Sequence, residues 1–458
     1  MAASKPGPVK STGICRVINM TATKFWGMTL WLFCWGAPVY ADMPTTTLFN
    51  LYPQARLYDP QFAQDQAQWL SAQESYPQAR ANLLPSLNAQ ASYTQADTRN
   101  RGGLSSFIQG GETNTEGYNV TLSQPIYNHG AWAGLSAAKQ QVLSASANFK
   151  AAEQNLVVRL AQAYFDVLSA QDNLVFSQSE QRAIQRQLKD SQERFDVGMI
   201  AITDLHETQA AADLATARAI EAENTLQSTR ENLYAMTGIH TELQAISDKL
   251  ELQSPSPNAI QHWQDAALRG NADMLAAQST YAARAAEVNA QRSGHYPNLE
   301  LVAQHSQNEQ SGGTLGTTIS EDNRLIVRLN VPLYAGGSVN AKVRSARAQR
   351  DAAKSLLDWR KRSAQQTARQ AFNNVNAAIA RAQALQKAKL SSQTSLESIQ
   401  AGYEVGTRTS TDVLNAEREV LRAKRDLSRA HYDYLLNQLR LKQSAGQLSH
   451  EDLKKLTP

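Results

Sequence analysis

The sequence has 458 residues, with 45 Lys and Arg against 41 Asp and Glu and a formal net charge of +4. Four of the basic residues, Lys5, Lys10, Arg16 and Lys24, fall in the first 41 positions beside no acid, so the remainder balances at 41 against 41. A balanced total gives no sign of the basic stripe that nucleic acid requires, and no nucleic-acid partner is expected.

Lys24 precedes the apolar stretch FWGMTLWLFCWGAPV, followed by VYA at 39–41 and Asp42. A basic n-region, an apolar h-region and a small-residue cleavage site predict a signal peptide over 1–41, cut after Ala41. Met20 serves as the alternative start, since 1–19 add nothing a signal needs. An uncleaved anchor is the rival reading; Gly27, Gly36 and Pro38 interrupt the run. Bulky Phe33 argues against lipidation of Cys34. Cys15 and Cys34 leave with the signal, so the exported chain does not depend on disulfides. Beyond Asp42 no apolar run approaches the ~20 residues of a transmembrane helix. The exported chain is therefore soluble, or crosses a membrane as strands.

From residue 42 onward the chain consists of two copies of one pattern. The first copy, 42–250, opens with an Ala/Gln/Arg-rich helical segment at about 61–82. Pro85 marks the change to SLNAQASYT, where Leu87, Ala89, Ala91 and Tyr93 share one face, so a strand is expected over 86–98. A Gly/Asn/Ser-rich stretch at about 99–116 reads as a loop, followed by a second strand over 117–127 ending in Pro125-x-Tyr127. The period then becomes helical. No Gly or Pro occurs from 135 to 197, and a helix over 130–196 would run roughly 95 Å. Leu135, Ala138, Val142, Ala145, Phe149, Ala152 and Leu156 form a coiled-coil seam, and the further step of four to Leu160 is a stutter. RFDVGMIAITD (194–204) then turns the chain at Gly198, and a shorter helix follows over 204–236.

The second copy, 251–450, repeats this at an offset of about 207–212. It comprises a helical segment at 258–292, strands over 298–307 and 324–334 ending in Pro332-x-Tyr334, and a Gly/Asn/Ser-rich stretch between them. A helix over 337–402, the turn GYEVGTRTSTD (402–412) at Gly406 and a helix over 411–444 complete it, leaving a tail at 451–458. Two long repeats predict a pseudo-twofold subunit rather than a solenoid.

Four strands cannot close a membrane barrel, because an open edge in lipid leaves backbone groups unsatisfied. Three chains would supply twelve strands and a tube of helices, so a homotrimer in contact with membrane lipids is expected. The fold class is mainly α, with a twelve-stranded transmembrane β-barrel continued by a helical coiled-coil barrel.

The paired Pro-x-Tyr switches, the doubled Phe/Tyr-x-Val-Gly turn and VGTRTSTDVLNAE resemble the TolC-type outer-membrane efflux and secretion channels over roughly 45–450. The resemblance implies a cell-outer-membrane export channel of Gram-negative cells with a periplasmic helical extension. Its partners would be a periplasmic membrane-fusion adaptor and an inner-membrane transporter of ABC, RND or MFS type. It also implies an entrance opened by untwisting of the coiled-coil hairpins. Asp412 would line that entrance, and Asn415 stands where the family has a second acidic ring. Thr203, Asp204, Tyr403 and Arg408 match its gate links, Gly198 and Gly406 its adaptor-contact turns. Three Asp412 carboxylates would attract cations, as acidic rings do.

Each of these residues also has a plain role. Asp204 and Asp412 suit an N-cap or first turn, Gly198 and Gly406 suit C-caps, and Tyr127 and Tyr334 suit packing or an interfacial girdle. A secreted trimeric coiled-coil structural protein or adhesin is the rival class. Catalytic, cofactor and metal residues are not expected. HETQA (206–210) places Ala210 where a zinc helix needs its second His.

Overall fold

The computed structural model describes residues 46–97, 111–246, 250–312 and 316–456. The expected signal, with Met20, Ala41 and both cysteines, lies outside the described residues, as does Thr98 at the end of the first expected strand.

The segment read as one helix at 61–82 is two, α2 (Pro60–Gln73) and α3 (Ser75–Ala81), and a further helix that was not expected, α1 (Leu48–Tyr58), precedes them. Asp59 makes the first break. Its backbone is extended and its side chain accepts from the Gln61 N–H, while Pro60 takes the first helical position, where a missing N–H costs nothing. Asp59 is buried and receives Arg159 at 2.5 Å. The later segment, 258–292, also divides, into α6 (Ile260–Gly270) and α7 (Ala272–Arg292). Asn271 turns extended between them and caps the Met274 N–H at 3.1 Å.

The strands are β1 (Ser86–Asp97), β2 (Glu112–Tyr127), β3 (Asn298–Gly312) and β4 (Thr318–Asn330), forming one antiparallel sheet in the order β1-β2-β3-β4. Three expected boundaries are corrected. β2 begins at 112 rather than 117, β3 runs to 312 rather than 307, and β4 spans 318–330 rather than 324–334. The polar stretches read as loops are paired strand, with Thr113 opposite Gly312 and Gln310 opposite Thr318. Ladder hydrogen bonds to a neighbour outweigh weak local propensity. At the other end, Pro332 and Tyr334 lie past the strand, and Tyr334 is 88 % exposed, which excludes packing within one chain. Pro125 and Tyr127 stay inside β2, where the register shifts between them. Pro125 has no N–H to give the ladder. The two Pro-x-Tyr switches are therefore not structurally equivalent.

One face of the sheet is apolar and open: Leu325, Val327 and Leu329 on β4 are 74 %, 68 % and 63 % exposed. In register with them lie Ala303, Leu301 and Leu299 on β3. The other face carries Arg324 and Arg328, and Arg328 reaches Glu300 at 3.5 Å. No helix among the described residues is long and apolar enough to cross a membrane.

Helices α4 (His129–Asp196) and α8 (Ser338–Glu404), of 68 and 67 residues, run about 100 Å from the sheet. They return as α5 (Ile202–Thr237) and α9 (Ser410–Ser444). Asn128 starts α4 by accepting from the Ala131 N–H at 3.0 Å. In the half nearer the turns, α4 packs between α5 and α9, and α9 between α4 and α8. Toward the sheet, α7 lies between α4 and α8. Thus α8 borders the layer along its length, and α5 borders the opposite side near the turns.

The main core sits midway along the long helices. Tyr164 and Phe165 of α4, Val375 of α8 and Tyr434 and Leu439 of α9 pack there with Leu48 and Leu51 of α1. The Tyr164 hydroxyl donates to the Gln244 carbonyl at 2.6 Å, and burial pushes its pKa up. The tail is packed down: 450–455 form a 3-10 turn, Leu453 and Leu456 are buried, and Lys442 meets Asp452 at 2.6 Å. Near the turns the core shrinks to Ile184, Ala212, Ala215 and Leu414. A buried Leu or Val contributes roughly 1.5–3 kcal/mol and alanine much less, so the hairpin ends are the loosely held part.

Candidate functional site

The two hairpin ends lie side by side, and each is built by the same local rule. Val197 ends α4; Gly198, at φ +75, donates to the Phe195 carbonyl, and Met199 donates to the Arg194 carbonyl, both at 2.8 Å. Val405 ends α8; Gly406, at φ +78, donates to the Tyr403 carbonyl at 3.0 Å, and Thr407 to the Gly402 carbonyl at 2.8 Å. These are Schellman closures, which need a left-handed residue one place beyond the cap, and glycine alone takes it without strain. Val197, Met199 and Val405 are left largely exposed at the turns.

The helices that leave these turns start differently. Thr409 caps α9: the Asp412 N–H donates to its Oγ1 at 3.2 Å, and Asp412 Oδ2 receives the Thr409 N–H at 3.0 Å and its hydroxyl at 2.9 Å. This capping box holds the Asp412 carboxyl below the usual carboxylate range, through the backbone bond first and the hydroxyl second, with Arg408 adding a smaller coulombic pull. In the first copy Ala201 stands at the cap and makes no side-chain bond. Neither Asp204 nor Asp412 is the N-cap residue. Both sit in the first turn, where the helix dipole favours a carboxylate.

Between the ends is a cleft of about 900 Å³. Asp204, Tyr403, Arg408 and Asn415 line it, together with Arg194 and Arg418. The structure therefore brings four of the six expected gate residues to one cleft. Thr203 and Asp412 are not among its lining residues; the Thr203 hydroxyl lies 3.5 Å from Asp204 Oδ1. Within one chain Arg408 makes no ion pair with Asp204 among the described residues. Its aliphatic stem fills the space a side chain at Gly402 would need, where an added Cβ would meet Arg408 Cγ at 2.8 Å.

The tie between the two hairpins is instead Arg194, which donates to the Tyr403 hydroxyl at 2.8 Å while its Nε meets Asp190 at 2.9 Å. Asp190 is the first cause that holds the Arg194 guanidinium pKa up. Sequence reasoning passed over this residue. The available signal was that Arg194 stands where the second copy has Gly402. A second unanticipated tie lies farther from the turns: Glu180 of α4 is reached by Arg218 of α5 at 3.2 Å and Arg418 of α9 at 3.0 Å. Among the described residues, no group of His, Cys, Asp and Glu is placed to hold a metal.

Comparison with known proteins places this arrangement. The model for outer membrane efflux proteins matches residues 51–239 and again 263–447. The outer membrane protein TolC of Vibrio cholerae serotype O1 is 34 % identical over 410 residues, covering 89 % of this chain and 92 % of that protein. The proteases secretion protein PrtF of Dickeya chrysanthemi is 29 % identical, over 84 % and 85 % of the two chains. The solved CmeC outer membrane channel of Campylobacter jejuni superposes with a TM-score of 0.75 at 16 % identity, covering 93 % and 94 %; that likeness is one of fold.

Proposed function

The chain belongs to the outer membrane efflux protein family, and on that premise we propose that three copies form an export conduit gated at its hairpin ends. The protein is an outer-membrane channel component with a helical extension into the periplasm, and it is not an enzyme. One observation carries the trimer: an open four-stranded sheet with an apolar outer face and two unpaired edges, β1 and β4. In hydrocarbon each unsatisfied edge group costs several kcal/mol, so the sheet must close on copies of itself. A secreted coiled-coil protein would have no use for that exposed apolar face.

In this reading the gate comprises Thr203, Asp204, Tyr403, Arg408, Asp412 and Asn415, joined by Arg194. Untwisting of the hairpins opens it. The Arg194–Tyr403 tie is half exposed, and such contacts contribute about 1 kcal/mol or less, which suits a latch that must release. The turns at Gly198 and Gly406, with exposed Val197, Met199 and Val405, offer a small apolar surface to a periplasmic adaptor, which would link the channel to an inner-membrane transporter. Export of small molecules, of proteins, or of both fits the range of names in the family.

The test is single-channel recording in planar bilayers. Discrete openings are expected, wider for Arg408→Ser and less cation-selective for Asp412→Ala. A silent bilayer from correctly folded trimers would overturn the channel.

A further inference from the structure

Helix α9 lies inside the helical layer, flanked by α4 and α8. Beyond its first turn its exposed positions are Asn415, Glu419, Arg422, Arg425, Arg429 and Arg440. The steps of 4, 3, 3, 4 and 11 all return to one side of a 3.6-residue helix, so these residues form a single stripe. Four are arginines. Glu419 answers Arg422 at 3.5 Å, and Asp426 answers Arg425 at 3.0 Å. Among the described residues Arg429 has no carboxylate partner, and Arg440 donates only to the neutral Gln162 amide oxygen at 3.1 Å.

Three hollows run along this stripe. The cleft at the turns includes Asn415. A hollow of about 710 Å³ includes Asn415, Arg422 and Arg425, and another of about 370 Å³ includes Arg440 with Asn437 of α9 and Asn155 of α4. A layer closing into a tube turns one face inward, and the channel reading takes the face that carries the stripe and these three hollows as that face. The carboxylates facing the middle hollow are Glu180, Glu221 and Glu419. Glu180 is taken by Arg218 and Arg418, and Glu419 by Arg422, so only Glu221 there lacks a cationic partner among the described residues. Asp412 opposes an anion at the entrance, Asn415 is neutral, Glu419 is answered by Arg422, and from Arg422 onward every exposed position of the stripe is arginine.

We propose that this arginine stripe lines the conduit and engages an extended acidic polypeptide segment in transit. The proposal rests on the channel reading above. From Arg422 to Arg440 is 18 residues, about 27 Å of helix. An extended peptide covers that in about eight residues at roughly 3.3 Å each. A compact anion would meet one or two guanidinium groups; a run of glutamates would meet all four.

Fluorescent decaglutamate and tetraglutamate would be titrated against the full chain, trimeric in detergent, by anisotropy. Decaglutamate should bind at least tenfold more tightly than tetraglutamate and weaken as KCl screens the charges. Replacing Arg422, Arg425, Arg429 and Arg440 together by Gln should weaken it tenfold or more, whereas Lys at the same positions should retain most of the affinity. Gln at the exposed α8 residues Arg344, Arg347 and Arg362 should change little. Absence of binding, equal binding of the two peptides, or equal loss in the α8 variant would overturn the proposal. Planar-bilayer recording separates the two claims. Decaglutamate block that vanishes in the α9 variant supports both. Binding by a protein that never conducts sinks the channel and, with it, passage along the stripe, leaving only a surface that binds acidic peptide. Conduction with neither binding nor block keeps the channel and sinks the stripe.

Discussion

At the scale of single residues, the two copies differ where it matters chemically. Thr409 and Ala201 occupy equivalent cap positions, so Asp412 is held in a capping box and Asp204 is not. Replacing Thr409 by Ala should cost about 1 kcal/mol, read as faster amide exchange in the first turn of α9, with no change in the first turn of α5. The pH dependence comes from the lowered Asp412 pKa. A carboxyl depressed in the folded state contributes stability above its unfolded value, near 3.9, and loses it as pH falls through the lower folded value. Protection of the α9 start should therefore hold from pH 8 to about 5 and decline only below about 4; the Thr409→Ala variant should lose most of this dependence. Arg194→Ala and Tyr403→Phe form a second test. A double-mutant cycle on local opening of the turns should return a coupling of about 0.5–1 kcal/mol, and zero coupling would remove the tie from the gate. The Asp and Gly positions were legible from the doubled motif. Arg194 was not, because its partner lies about two hundred residues away, and spacing along one helix says nothing about it.

At the scale of elements, the long helices were legible and the strand limits were not. Nearly seventy residues of helical period leave little choice, whereas polar segments such as ETNTEG become strand only because a neighbour pairs with them. The division of 258–292 at Asn271 was equally hidden: asparagine is tolerated inside helices, and here its cap geometry wins. The turns themselves are specified locally, by one left-handed glycine each. Ala at Gly198 or Gly406 would have to keep a φ near +75, which costs roughly 1–2 kcal/mol per residue. Thermal melts should show this loss for each variant, accompanied by weaker capture of a cognate adaptor where the turn has been reshaped.

At the scale of the whole molecule, the chain is an incomplete object. The borders α8 and α5 expose Leu390 and Leu214, 66 % and 59 % accessible, which lie 14 and 12 residues from the turns and so within about 3 Å of the same height. Cysteines at both positions should form a disulfide between chains under oxidation, with covalent trimers on denaturing gels. Disulfides confined to single chains would exclude this closure. By itself, the sequence determined the doubled order of strands, long helix, turn and return helix, because hydrophobic period, proline and glycine act over a few residues. Only the tertiary structure decided which ions meet across helices and that arginines spaced along α9 form one open stripe. Those outcomes depend on which faces neighbouring helices cover, and a balanced charge total conceals them.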